Sequence, residues 1–372
     1  MKYYIISGEA SGDLHGSNLM KALYKQDTGA TIRFWGGDLM QSVGGTLVKH
    51  YKELAFMGFV EVLVNIPTIF KNMSFCKKDI TQFNPDVVIF IDYSGFNLRI
   101  AKWAKQHHFK TNYYISPQVW ASRSSRIQKI KRDIDAMYVI LPFEKEFYRK
   151  HGYDVHFVGH PLIDAIADRK QVDEHLFRKT HNLGNKPIIA LLPGSREQEI
   201  KKMLSVMLSL VDDFIDYQFV IAGAPSQDFE FYQQFINKEN VQFINNKTYD
   251  LLSVSTAALV TSGTATLETA LFKVPQVVCY KGSEISYQIA KRIITLKYIS
   301  LVNLIMDKEV VKELIQKEFT KANLKQELAK ILEKNYRKHL FSEYYELEQK
   351  LGEKGASANA AKQIVETLKA RK

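Results

Sequence analysis

TSGTATLETA, Thr261 to Ala270, follows the short apolar run LSVSTAALV and decides how the rest of the chain is read. A strand-like run ends in a glycine turn rich in small hydroxyl residues, and a helix pattern begins at once. The first turn of a helix carries unpaired N–H groups, and with the hydroxyls of Ser262 and Thr264 they suit a phosphate. Glu268, one turn further on, is placed to accept hydrogen bonds from a ribose diol. Strand, glycine turn and helix in this order predict an α/β half that holds a nucleotide.

The same grammar recurs along the chain. In the first half, strand-like runs fall at 2–7, 31–36, 86–92, 110–116, 136–141 and 155–159, separated by helix-like segments. A second series starts near Lys186, with runs at 187–194, 217–223, 241–244, 257–263 and 275–280. Near-continuous apolar strands alternating with helices imply parallel sheets covered on both faces. The restart predicts two doubly wound, Rossmann-like domains facing a cleft, residues 1–170 and 185–340, with the site at the carboxyl ends of the strands. A charged helical segment, 341–372, is expected to pack back or to meet a partner subunit.

Composition narrows the class without naming a ligand. The 372 residues are 46% hydrophobic and 24% charged, a globular balance for a two-domain chain. Two cysteines, Cys76 and Cys279, stand far apart, which supports neither a disulfide scaffold nor a thiolate metal site. MKYYIISGEASGD runs straight from a short strand into a glycine turn, so the N-terminus reads as structural rather than as a signal peptide, and the protein as cytoplasmic. The net charge of +11 suits nucleic acid, anionic lipid or phosphorylated small substrates, and equally a lysine-rich solvated face.

Several strand ends carry chemistry. In GEASGD, Gly8 to Asp13, the glycines permit a tight turn and Ser11 is placed to cap the next helix. Neither GxGxxG nor GxxxxGK[ST] is present. Asp92 closes DVVIFID, where a carboxylate can take a proton from an acceptor hydroxyl; it can equally serve as a cap. Asn97 is placed to orient that loop or the substrate. SPQVWASRSSR, Ser116 to Arg126, combines Gln118, Trp120, Arg123 and Arg126 in a loop able to clasp an anionic acceptor. His160 stands at another strand mouth without companions at metal-ligand spacing. In LLPGSREQEI the turn amides and Ser195 suit a phosphate, Arg196 can neutralise a departing diphosphate, and Glu197 and Glu199 cap or orient.

LAFMGFVEVLVNIPTIFKNMSFCKKD, Leu54 to Asp79, is unusually apolar, yet Glu61, Asn65 and Pro67 make it a poor membrane span. Lys71, Lys77 and Lys78 flank it. Apolar residues bordered by lysines fit a helix dipping into an anionic bilayer, or a core helix.

With these residues in view, the chain resembles the lipid-A-disaccharide synthase family, glycosyltransferase family 19. The resemblance runs in order through SGEASGD, VIFIDYSGFN, YYISPQVWASR, ILPFE, FVGHPLID, LLPGSR, SGTATLE and the YISLVNLI region. It implies a GT-B fold with no metal and no cofactor, and a peripheral place on the cytoplasmic face of the inner membrane. The implied donor is UDP-2,3-diacylglucosamine and the acceptor 2,3-diacylglucosamine 1-phosphate, joined with inversion to the β(1→6) disaccharide 1-phosphate plus UDP. An anionic membrane surface and a homodimer partner belong to the same expectation, and nucleic acid does not.

Carried over residue by residue, the resemblance makes Asp92 the general base. Ser195, Arg196, Ser262, Gly263, Thr264 and Glu268 become the nucleotide side, with Arg196 catalytic as well. Ser11, Met57, Gly58, Glu61, Asn97, Gln118 and Arg123 fall on the acceptor side or support the cleft. The chain departs from the family pattern at Ser94 and Gly95, where a proline and an aspartate are usual. It also has Ser122 in place of a tryptophan and Val302 in place of a proline. Two other classes of function compete. One is a GT-B enzyme acting on soluble UDP-N-acetylglucosamine. The other is a non-enzymatic module that senses UDP or binds nucleic acid, although no RRM, KH or finger pattern accompanies the dispersed basic residues.

Overall fold

The computed structural model describes residues 1–54, 66–122, 126–224, 227–236, 238–282 and 296–370. The chain divides into two compact units, Met1–Asp164 with Leu351–Lys372, and Ala165–Lys350. Each is built on one all-parallel sheet.

In the first unit the strands are β1 (Lys2–Ser7), β2 (Thr31–Gly36), β3 (Thr46–His50), β4 (Val87–Ile91), β5 (Thr111–Tyr114), β6 (Ala136–Val139) and β7 (His156–Phe157). Their order is β3-β2-β1-β4-β5-β6-β7. The central strands are apolar because both faces are covered: every residue of β4, VVIFI, is buried. Tyr4, Trp35, Val88, Phe90 and Ile100 fill one side. Tyr3, Ile5, Leu19, Leu23, Ile89 and Ile364 fill the other.

That second side explains where the chain's end goes. Helix Ala356–Lys369 lays Ala360, Ala361, Ile364 and Val365 against the cluster formed with helix Ala10–Gln26. Small alanines let the two helices approach closely, and the return is pinned by Gly355 N–H donating to Asp164 Oδ1 at 2.5 Å and by Asn359 Nδ2 donating to the Val158 carbonyl at 3.2 Å. The segment 341–372 is therefore divided: Lys334–Lys350 belongs to the second unit, and the final helix packs back on the first.

The second unit carries β8 (Ile188–Leu192), β9 (Gln218–Gly223), β10 (Val241–Asn245), β11 (Ala257–Thr261), β12 (Gln276–Tyr280) and β13 (Glu313–Ile315), in the order β10-β9-β8-β11-β12-β13. Ile188, Ala190, Val220, Ala258 and Val260 make its core on one face. Both sheets contain a strand from which the order departs in two directions, β1 between β2 and β4, and β8 between β9 and β11. Loops diverge at such a switch point and leave a crevice at the carboxyl ends of the two neighbouring strands.

Candidate active site

In the first unit the switch point is formed by the turns after β1 and β4, whose ends lie side by side with Ser7 paired to Ile91. Gly8 leaves β1 under the Tyr93 ring. A Cβ there would lie 2.3 Å from that ring, so the glycine serves close packing of the two turns. Helix Ala10–Gln26 then begins with Glu9 as its N-cap in an extended conformation and with no side-chain cap bond. Ser11 lies inside the first turn, so its expected capping role is not realised: the backbone bends into the helix two residues earlier. Asp13, which sequence reading passed over, is buried and accepts from the amides of Gly37 (2.8 Å), Leu39 (3.0 Å) and Met40 (3.0 Å). It ties the turn after β2 to the turn after β1.

Asp92 and Tyr93 follow β4 with φ of +45° and +46°, two successive left-handed residues that are not glycine. Each such residue costs on the order of 1 kcal/mol or more and persists only when its surroundings fix it. Asn97, fully buried, donates from Nδ2 to the carbonyls of Asp92 (2.8 Å) and Ile91 (3.2 Å). The Tyr113 hydroxyl, from β5, donates to the same Asp92 carbonyl. Burial pushes the Asp92 carboxyl above its usual range, opposed by a hydrogen bond from the Tyr93 amide. Glu9 faces Asp92 and is itself raised, first by burial and then by the Asp92 charge. A half-buried carboxylate with elevated basicity at a strand mouth has the attributes of a general base.

The loop after β5 opens with another strained residue, Ile115 at φ +65°. Ser116 is buried, its hydroxyl 2.7 Å from the Tyr148 hydroxyl, while Gln118 is exposed. Trp120 packs edge-on against Phe143, ring centroids 5.0 Å apart. Beneath the loop Glu144 accepts from the Leu141 amide at 3.0 Å, and burial pushes its carboxyl up to about 7. His160 is buried, takes the Leu162 amide on Nδ1 at 3.2 Å and gives its own N–H to the Leu351 carbonyl, a structural role at the end of β7. Met57, Gly58, Glu61 and Arg123 lie outside the described residues.

In the second unit the corresponding turns follow β8 and β11, neighbours with Leu192 paired to Val260. Gly194 has φ +104° and Gly263 φ +149°, conformations open to glycine at little cost. Helix Glu197–Leu208 begins after Arg196, and helix Thr264–Leu271 after Gly263; neither N-cap makes a side-chain cap bond. Ser195 and Arg196 are exposed, Arg196 at 82% of its side-chain surface, with Glu199 3.6 Å away to hold the guanidinium over the turn. Thr264 is exposed and Ser262 half-buried, its hydroxyl donated to the Ile299 carbonyl at 2.9 Å. Thr266 is buried and gives its hydroxyl to the Gly263 carbonyl at 2.8 Å, which closes the turn from inside.

Glu268 lies half-buried below that turn and accepts from the Tyr249 hydroxyl at 2.8 Å. Burial raises its carboxyl and the Tyr249 bond opposes the rise. Tyr249 escaped the sequence reading, as did the polar set behind the YISLVNLI region. There the buried Glu313 accepts from the Ile299 and Ser300 amides (2.9 Å each) and from Asn303 Nδ2 (2.9 Å). Asn303 Oδ1 in turn takes the Val310 and Val311 amides. The network fixes the carbonyl that holds Ser262. The sequence carries no signal for it, because the burial of Glu313 is set by the fold. Among the described residues no group of three or more His, Cys, Asp or Glu is arranged to hold a metal ion.

Two all-parallel Rossmann-like sheets, with distinctive residues gathered at the switch point of each, define a protein of the GT-B class. The family model described as lipid-A-disaccharide synthetase matches residues 3–367. The lipid-A-disaccharide synthase of Syntrophus aciditrophicus is 40% identical, over 98% of this chain and 97% of that protein. That of Coxiella burnetii is 37% identical, over 97% and 96%. The chain belongs to the lipid-A-disaccharide synthase family. Solved structures agree at the level of fold. UDP-GlcNAc 2-epimerase from Neisseria meningitidis, bound to UDP-GlcNAc, aligns over the whole of both chains with a TM-score of 0.67 at 15% identity. The Methanocaldococcus jannaschii enzyme, in complex with UDP-GlcNAc and UDP, does so with 0.65 at 15%.

Proposed function

We propose that this chain is an inverting hexosyltransferase that joins UDP-2,3-diacylglucosamine to 2,3-diacylglucosamine 1-phosphate, giving the β(1→6) lipid A disaccharide 1-phosphate and UDP. The observation that carries the reading is 40% identity to a lipid-A-disaccharide synthase across 98% of the chain. In the reaction, the acceptor's 6-hydroxyl oxygen attacks the anomeric carbon of the donor sugar, and its proton passes to Asp92. The bond from that carbon to UDP breaks on the opposite face, leaving its electron pair on the β-phosphate oxygen. Arg196 and the amides that open helices Glu197–Leu208 and Thr264–Leu271 stabilise that developing charge. Ser195, Ser262, Gly263 and Thr264 hold the phosphates, and Glu268 receives the ribose diol. Ser11, Asn97 and Gln118 are assigned to the acceptor side, as are Met57, Gly58, Glu61 and Arg123, which lie outside the described residues.

The acyl chains need an apolar shelf. Helix Ile66–Phe83 exposes Phe70 and Phe75, 65% and 47% accessible, with Lys71 and Lys78 exposed beside them. Exposed aromatics bordered by lysines support a protein that works at an anionic membrane surface on the cytoplasmic side. Among the described residues no helix is long and apolar enough to cross a membrane. A homodimer partner is part of the same reading.

The test is incubation with both lipid substrates and mass analysis of the products. The disaccharide 1-phosphate together with UDP is the expected result. Turnover of soluble UDP-N-acetylglucosamine without lipid coupling would replace it with the second enzyme class. UDP binding without any UDP release would make the chain a sensor.

A further inference from the structure

Asp92 stands at a paradox that the reaction does not explain. The residue proposed to move the proton is also one of two adjacent left-handed residues that are not glycine, so its carboxylate is aimed by a backbone conformation that costs energy. The usual device, a glycine at the turn, is close at hand in Gly95, but it lies within helix Ser94–Gln106 and not at the bend. Something else must hold the bend.

Two donors converge on the Asp92 carbonyl. Asn97 reaches it from the first turn of the following helix at 2.8 Å. Tyr113 reaches it from the neighbouring strand. Tyr113 pairs with Phe90 in the β4–β5 register, its ring 5.9 Å from that of Phe90, so the strand pairing sets how far along the hydroxyl extends. The ring is fully buried, and the hydroxyl also interacts with Asn97. We propose that Tyr113 is a positioning residue for the transfer reaction, its hydroxyl holding the Asp92–Tyr93 bend left-handed so that the carboxylate points at the acceptor hydroxyl. This rests on the assignment of Asp92 as the base. Tyr113 touches no substrate in this role; it acts through the Asp92 carbonyl.

The charged and titratable groups around the pair are Glu9, at the start of helix Ala10–Gln26, and Tyr93 beside Asp92. Tyr148 and Arg126 also act on Tyr113 electrostatically, the first raising and the second lowering its pKa. Burial holds the Asp92 carboxyl above its usual range. A bend released from its clamp leaves that carboxyl free to turn toward water, which lowers its pKa again.

Tyr113→Phe keeps the buried ring and deletes the hydroxyl. Assayed with both lipid substrates beside Asp92→Asn, it should lower kcat by about 10- to 100-fold, the cost of a misplaced catalytic group, with KM for either substrate unchanged. The acid limb of its pH–rate profile should move to lower pH, and UDP affinity should be unaltered. A purely structural tyrosine would lower the melting temperature and scale kcat with the folded fraction, leaving the acid limb in place; that result overturns the proposal. Inactive Asp92→Asn beside fully active Tyr113→Phe also overturns it while sparing the base assignment. Active Asp92→Asn overturns both. Should Tyr113→Phe fail to fold, Asn97→Ser removes the other donor to the same carbonyl, and an unchanged kcat and acid limb there sink the idea equally.

Discussion

The two switch points solve the same geometric problem with opposite materials. Each needs a sharp turn between a parallel strand and a helix. In the turns after β8 and β11 the positive φ angles fall on glycines, Gly194 and Gly263. In the turn after β4 they fall on Asp92 and Tyr93, both of which carry a Cβ. The difference follows from what each turn is proposed to present. A phosphate is bound by backbone amides, so a residue without a side chain gives the ligand its closest approach at little conformational cost. Proton transfer needs a side chain, so glycine is unusable, and the strain must be held by partners such as Asn97 and Tyr113. Where a side chain is proposed to act, the bend is strained and its carbonyl is held by two side chains. Where the main chain is proposed to act, glycine takes the bend at little cost, with Thr266 alone on the Gly263 carbonyl.

The largest effect that could break this contrast is at Asp92. Asp92→Asn preserves shape and removes the proposed base, and kcat should fall by about 100- to 10,000-fold while UDP still binds. Normal turnover would remove Asp92 from the reaction. In the unaltered protein, the carboxylate is the active form. Because burial raises its pKa, kcat/KM should decline on the acid side with a midpoint above the ordinary aspartate value of about 3.9. Next in size is Arg196, whose exposed guanidinium is proposed to meet the leaving diphosphate. Arg196→Ala should cost about 100-fold in kcat/KM. Arg196→Lys should recover only part of it, because one ammonium cannot reproduce the planar fork. Wild-type kinetics in Arg196→Ala would leave the amides alone with the phosphate.

The glycines sharpen the comparison from the other side. Gly263→Ala places a Cβ on a residue at φ +149°, and although nothing lies within 4 Å of it, the backbone is strained whatever the space. Stability should drop by about 1 kcal/mol or more, and UDP affinity with it. Gly95→Ala, in a helical conformation and equally open space, should be neutral or stabilise by up to about 1 kcal/mol. Thermal melts of the pair decide the matter, and equal losses would mean that backbone conformation does not distinguish the two turns.

Sequence reading reaches far into this molecule for a physical reason. Interior parallel strands are covered on both faces, and VVIFI or IIALL can hardly be read otherwise. The strands it does not reach are β3 and β13, TLVKH and ELI: β3 is partly exposed and admits polar residues, and β13 is only three residues long and begins with a glutamate. Glu313 in β13 is buried, which no periodicity announces; it is tolerated because backbone amides and Asn303 satisfy it. The site divides in the same way. Residues proposed to act from a turn after a strand, such as Asp92, Arg196 and Ser262, stand out by position. Tyr113 holds Asp92 from 21 residues away and Tyr249 holds Glu268 from 19, while Asp13 ties the turn after β2 from 24 or more, and only the folded registers bring them there.

Tyr249 yields the smallest and most discriminating test. Its hydroxyl holds one oxygen of Glu268 at 2.8 Å, and its ring packs on Phe272 with centroids 5.3 Å apart, so Tyr249→Phe should leave the packing intact. In the proposed role the ribose diol donates to the Glu268 carboxylate, a stronger acceptor than the neutral acid. Burial already lifts the Glu268 pKa, and the Tyr249 bond restrains it. Losing that bond raises the pKa further, so the carboxyl takes up its proton at a higher pH than before. Calorimetric titration of UDP should show affinity about three- to tenfold weaker in Tyr249→Phe, about 1 kcal/mol for one hydrogen bond. The deficit should widen as the pH is lowered, and kcat at saturating donor should be unchanged because the base lies in the other unit. A deficit constant across pH would assign Tyr249 to shape alone. Unchanged affinity, set beside a large loss in Glu268→Ala, would show that burial by itself aims the Glu268 carboxylate and that it needs no help from Tyr249.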